Sequence, residues 1–136
     1  MSTDIRAAGA ADIPSVLELW RTSATPTSTD SPGDLRRLLH HDPGALLVAE
    51  VEGEIVGSVI AGWDGWRGSV YRLVVDPAHH RRGLGGRLLR QAERRLAELE
   101  VRRMHAIVVG DDARAVSFWA STDWELQGGQ LRFAKG

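Results

Sequence analysis

The 136-residue chain has no cysteine, a single tyrosine (Tyr71) and a single lysine, Lys135, which stands in the tail. Without cysteine there is no disulfide framework, no thiol nucleophile and no zinc–thiolate site. A Walker A phosphate loop needs Gly-Lys followed by Ser or Thr, and Lys135 is not in such a context, so that loop is excluded. No apolar run is long enough to cross a bilayer and no N-terminal stretch has the make-up of a signal peptide, so a cytoplasmic protein is expected. Charge of one sign is also missing: the formal net charge is -1, which gives no whole-molecule field for nucleic acid or a membrane. Basic residues do gather between His79 and Arg95, but glutamates interleave from Glu93 and no aromatic accompanies them. That pattern fits a local phosphate site and not a strand-binding groove. His40 and His41 have no third ligand nearby and read as exposed residues at a helix end, so no metal is expected. The length, with 43% hydrophobic and 26% charged residues, suits one soluble globular domain spanning 1–136.

What is present is concentrated between Tyr71 and Leu89, where an apolar strand passes through Asp76, Pro77, Ala78, His79 and His80 into a glycine-rich helix start. A helix start leaves several backbone N–H groups without intrahelical partners and carries about half a positive charge, which makes it an anion site. Gly83, Gly85 and Gly86 remove side chains that would block approach, and their conformational freedom lets successive N–H groups converge. Arg81, Arg82 and Arg87 add side-chain charge. The pattern is a diphosphate cradle. A Rossmann fingerprint is excluded, because the third glycine would fall at Leu88 and the strand lies mid-chain.

Apolar periodicity predicts a strand over 4–8, a helix over 10–22 with Pro14 in its first turn, and a Ser/Thr/Pro-rich loop over 22–30. A helix starting at Ser31 to Asp34 and ending at His40 and His41 follows. Next come three strands of a meander: Leu46 to Ala49, Ile55 to Trp63, and Gly68 to Val75, with turns at Glu52-Gly53 and Asp64-Gly65. A helix over 83–100 has Leu84, Leu88, Ala92, Leu96 and Leu99 as its core stripe. The crossover through it makes the next strand, 104–109, parallel to the third meander strand. A short helix over 113–121 and a hairpin of 124–127 with 130–134 about Gly128-Gly129 complete the chain.

The frame His80, Arg81, Arg82, Gly83, Leu84, Gly85 closely resembles the pyrophosphate loop of the GNAT acyltransferase superfamily: Gln or Arg, two residues, Gly, one residue, then Gly or Ala. His80 departs from the usual first residue. Asp112 to Trp119 resembles a second motif of that superfamily, on the helix after the fifth strand, and the element order is similar over essentially the whole chain. The resemblance implies a mixed α/β fold, with a central sheet of about seven strands flanked by helices. It implies N-acetyl transfer from acetyl-CoA, as co-substrate, to a primary amine of a small molecule or protein, with no metal. It also implies that the pantetheine arm pairs with backbone groups of Leu73, Val74 and Val75, with the diphosphate on residues 81–87 and with Asp112 and Trp119 beside the coenzyme.

The acceptor is then expected at the other end of the third meander strand, near Trp63, Asp64, Trp66 and Arg67, roofed by the loop over 22–30. Two departures from the family pattern bear on catalysis. Trp119 stands where a tyrosine often protonates the thiolate, and Ile107 where N-terminal protein acetyltransferases place a glutamate base. A coenzyme A thiol resembles cysteine in acidity, with a pKa of about 8.5, so its thiolate can leave without an obligatory acid. Tyr71 is a candidate acid or substrate contact, or else a core aromatic. Asp64 is a candidate contact or base, or else a turn former. His105 reads as a buried strand residue, and His79 and His80 as rims of the phosphate site. Alternatives are an N-terminal acetyltransferase of the ribosomal-protein type and a CoA-binding sensor without catalysis. A homodimer through a sheet edge or the final hairpin is a further expectation.

Overall fold

The computed structural model describes residues 2–136. By its internal contacts the chain divides into two units, one ending at Ala106 and one comprising Ile107–Gly136.

The first unit is a five-stranded sheet with helices on both faces. Strands β1 (Thr3–Ala7), β2 (Leu46–Val51), β3 (Glu54–Trp63) and β4 (Gly68–Val75) pair antiparallel in chain order, and β5 (Met104–Ala106) lies parallel to β4. Helices α1 (Ile13–Ser23) and α2 (Pro32–His41) cover one face, where Ile13, Val16, Leu19, Trp20 and Leu35 bury against Leu46, Val48 and Val74. Helix α3 (Leu84–Glu98) covers the other, with Leu84, Leu88, Leu89, Ala92 and Leu96 buried. The packing there is tight enough to dictate glycine: a Cβ on Gly57 would sit 2.9 Å from Leu88, and one on Gly68 would sit 2.9 Å from Leu96. Ser31 caps α2, its hydroxyl accepting from the Asp34 N–H at 3.1 Å, as the sequence led one to expect.

One tie at the start of the fold gives a pH-dependent stability. The Asp12 carboxylate accepts from the Arg6 guanidinium at 2.8 Å and from the Gly9 N–H at 2.8 Å. Chiefly through the bond to Arg6, its pKa falls from the ordinary 3.8 to about 2. The folded state therefore binds this proton less well than the unfolded chain does. The stabilisation is full above about pH 4 and lost as pH falls towards 2. Allowing for solvent screening it amounts to about 1–2 kcal/mol. Urea unfolding between pH 5 and 2 is expected to show that loss, and Asp12→Asn to flatten it; an unchanged slope in the variant would exclude the assignment.

The strand count differs from the expected seven. Within the second unit α4 (Ala113–Ala120) forms as expected, but residues 124–134 are not strands. Leu126, Leu131 and Phe133 are 85–96% exposed, so the expected hairpin has no apolar face to bury, and an isolated two-stranded hairpin is at best marginal. For the same reason β5 stops at Ala106: Ile107 and Val109, expected to continue a buried strand, are about half exposed.

Candidate active site

Register across β3 and β4 contains an irregularity that shapes everything near it. Ser58 lies opposite Val74 and Ile60 opposite Tyr71, so Arg72 and Leu73 together face the single residue Val59. This is a β-bulge, and Arg72 takes it up with φ of 52°, a left-handed conformation costing about 1–3 kcal/mol in a non-glycine residue. A buried relay holds it there. The Trp20 indole N–H donates to Ser58 Oγ at 2.8 Å, and Ser58 Oγ–H donates to the Arg72 carbonyl at 2.9 Å. The Arg72 guanidinium lies over the Trp20 ring, 5.1 Å from its centroid, and forms an ion pair with Asp30. Asp30 also accepts from the Thr27 N–H and hydroxyl at 3.0 and 2.9 Å, so the Ser/Thr-rich loop is tied to the bulge.

Beyond the bulge β4 has an open edge. Its pairing with β5 covers Gly68, Ser69 and Val70 and ends opposite Ala106. No β5 residue therefore pairs with Leu73, Val74 or Val75. Past Val75 the chain is clamped: the Asp76 N–H donates to the Val56 carbonyl, the Asp76 carboxylate caps a turn by accepting from the Ala78 N–H, and the His80 ring Nε2 donates to the Val75 carbonyl at 2.9 Å. That last bond gives His80 a structural task the sequence did not disclose.

The glycine-rich turn then enters α3. Arg81 and Gly83 both have left-handed backbones, with φ of 68° and 72°. Among the described residues no side chain caps the helix, no acidic residue occupies its first turn, and its first backbone bond runs from the Arg87 N–H to the Gly83 carbonyl. The N–H groups of Leu84, Gly85 and Gly86 thus point out of the helix end without intrahelical acceptors. Arg81, Arg82 and Arg87 are exposed around them. Arg87 also reaches the Thr3 carbonyl at 3.4 Å, and Arg82 the His79 ring at 3.4 Å. A Cβ on Gly83 would meet nothing within 4 Å, so this glycine answers to its backbone angle and leaves the mouth of the helix open. Positive end charge, convergent donors, three arginines and no carboxylate suit a diphosphate.

On the side of the bulge away from the glycine-rich turn, Tyr71, mid-strand in β4, is 52% exposed on the face shared with Ile60, so it is not a core aromatic. Asp64 forms the β3–β4 turn: its carboxylate accepts from the Arg67 and Trp66 N–H groups at 2.8 and 2.9 Å. Those bonds, with a smaller effect of His105, hold its pKa below the usual carboxylate value and make it a weak base. His105 is exposed, not buried, and its Nε2 lies 3.0 Å from Ser69 Oγ on the adjoining strand. In the second unit Asp112 is the N-cap of α4, accepting from the Ala115 N–H at 3.0 Å. Trp119 packs edge-on against Phe118 and Trp124 at 5.7 and 4.9 Å between ring centres. Among the described residues no group of three or more His, Asp or Glu side chains is arranged to hold a metal, and no helix is long and apolar enough to cross a membrane.

The sequence profile of the acetyltransferase (GNAT) family matches residues 13–123, and the chain belongs to that family. It is an acetyltransferase by that membership. It is 35% identical over 125 residues to an acetyltransferase of Sodalis glossinidius, covering 91% of this chain and 88% of that protein. It is 37% identical over 115 residues to an acetyltransferase of Pectobacterium atrosepticum, covering 84% and 82%. Among solved structures, the fold is similar to the PaiA N-acetyltransferase of Thermoplasma acidophilum in complex with coenzyme A. There the TM-score is 0.73 at 15% identity, with 88% of this chain and 87% of that one covered.

Proposed function

We propose that the chain uses acetyl-CoA to acetylate a primary amine of a small molecule or protein. The observation that carries this is the uncapped start of α3, with Gly83 and Arg81 in left-handed conformations, directly after a strand whose outer edge is open. The residues fit the co-substrate: donors and arginines for its diphosphate, and for its amide-bearing arm the backbone groups from Leu73 to Val75 that have no β5 partner, the Val75 carbonyl, taken by His80, excepted. Asp112 and Trp119 are assigned to the coenzyme side by their motif. The thioester supplies the activated acyl group. The chain's task is to bind it in extended form, to aim strand N–H dipoles at its carbonyl, and to present to that carbonyl, in neutral form, an amine that enters from the Tyr71 side of the bulge. The whole chain acts as one catalytic domain, a reading supported by a family match that runs across the boundary at Ala106.

Thiol release from acetyl-CoA with a panel of small amines and N-terminal peptides tests this. Turnover on at least one amine is expected; tight binding of coenzyme A with no turnover on any would make the chain a sensor. Tyr71 is assigned as a contact to the acceptor and not as an obligatory acid, since the thiolate leaves readily. Tyr71→Phe is then expected to lower kcat by less than about tenfold, because a general acid contributes about a hundredfold or more. A hundredfold fall with KM unchanged would make Tyr71 the acid.

A further inference from the structure

Ser69 and His105 stand opposite each other in register on the only parallel pair of the sheet, with Ser69 Oγ 3.0 Å from His105 Nε2. Ser69 pairs with Gly62 and Tyr71 with Ile60, which places both on the α1–α2 face of β4, at the end away from the glycine-rich turn. Two strand residues, Val70 and Tyr71, lie between Ser69 and the bulge at Arg72, three residue steps that span about 10 Å. An amine placed between the imidazole and the strand groups assigned to the thioester would lie beside Tyr71, which is exposed on the same face. Imidazole is the side chain suited to lose and gain a proton near neutrality.

We propose that His105 is the general base that deprotonates the incoming amine, with Ser69 as the positioning residue that fixes its tautomer. This rests on the acetyl-transfer reading above. The His105 Nε2–H donates to Ser69 Oγ, which leaves the lone pair on Nδ1. Nδ1 takes one proton from the acceptor ammonium. The freed nitrogen lone pair forms the new C–N bond at the thioester carbonyl carbon, and the C–S bond breaks with its electron pair on sulfur. The nitrogen's surplus proton goes to the thiolate, so amide, thiol and protonated His105 are formed, and His105 returns its proton to solvent. Asp64, the other candidate base at this end, is tied up in its turn. The ionisable side chains on the elements beside His105 are Asp64 and Arg67 of the turn, Tyr71 and Arg72 of β4, and Arg102 and Arg103 leading into β5.

The test is the pH dependence of kcat/KM for an amine that turns over, from pH 5.5 to 9.5, in wild type, His105→Gln and Ser69→Ala. The expected results are a fall of at least tenfold for His105→Gln at pH 7, convergence with wild type at high pH where free amine supplies itself, and an unchanged KM for acetyl-CoA. Ser69→Ala is expected to displace the acidic limb without abolishing it. As a readout on the unmutated protein, one imidazole C–H resonance in NMR is expected to titrate together with that limb and to move in Ser69→Ala. A His105→Gln profile superimposable on wild type, or no resonance following the limb, would overturn the assignment while leaving acetyl transfer intact. A wild-type protein that turns over no amine would overturn both.

Discussion

Gly85→Asp is expected to weaken coenzyme A binding more than about a hundredfold while the protein stays folded. Gly85 lies in the first turn of α3, where its N–H is among those with no intrahelical acceptor. An added carboxylate there acts in two ways. It occupies the approach to the helix end, and it caps the very N–H groups that the diphosphate needs, as aspartate does at natural helix starts. It also sets like charges against each other: at about 4 Å near a protein surface such a pair costs on the order of 4 kcal/mol. Even with a third of that lost to screening, about 2.7 kcal/mol remains, a hundredfold in affinity. Because aspartate near a helix start is favourable to the helix itself, thermal stability is expected to hold or rise. Calorimetric titration beside a melting curve separates the two effects. Affinity within threefold of wild type would remove the α3 start from the binding site.

Ser58→Ala is expected to destabilise the fold by about 2–4 kcal/mol. Ser58 is fully buried, and its hydroxyl serves both as acceptor for the Trp20 indole and as donor to the Arg72 carbonyl. Its loss leaves the indole N–H with no acceptor and the bulge carbonyl without its donor, each costing about 1–3 kcal/mol in a buried setting. Trp20→Phe in the same background removes the stranded donor, so the double variant is expected to lose less than the sum of the singles. Additive losses would mean that the three groups do not act as a unit. The same variant reports on function: with the Arg72 backbone no longer held left-handed, kcat is expected to fall more than the affinity for coenzyme A, since the bulge lies on the acceptor side of the open strand edge.

The sequence made the glycine-rich turn legible because backbone chemistry announces itself in residue type. Gly83, Gly85 and Gly86 after an apolar strand leave few other uses, and helices and meander followed from periodicity. The bulge was not legible, since a register slip of one residue depends on cross-strand partners; the one available signal was Arg72, a charge inside an otherwise apolar strand. Ser58 and Trp20 gave no sign of their shared role, because a buried polar residue is recognised by its partner 38 positions away. Asp64 is legible both as a candidate base and as a turn former, and its carboxylate holds the turn. The apolar run from Met104 to Val109 suggests a long interior strand and hence a buried His105, but β5 is a three-residue edge, and edges expose their side chains. The expected final hairpin rested on local pattern alone, with no surface for Leu131 and Phe133 to cover.

The central claim is that the start of α3 and the open edge of β4 together take coenzyme A. Titrating 15N-labelled wild-type protein with coenzyme A and following backbone amides by NMR tests it most directly. The account predicts that the largest saturable shifts fall on the N–H groups of Leu84, Gly85 and Gly86, followed by those of Leu73 to Val75. Saturable binding that leaves the Leu84, Gly85 and Gly86 amides unmoved would contradict it.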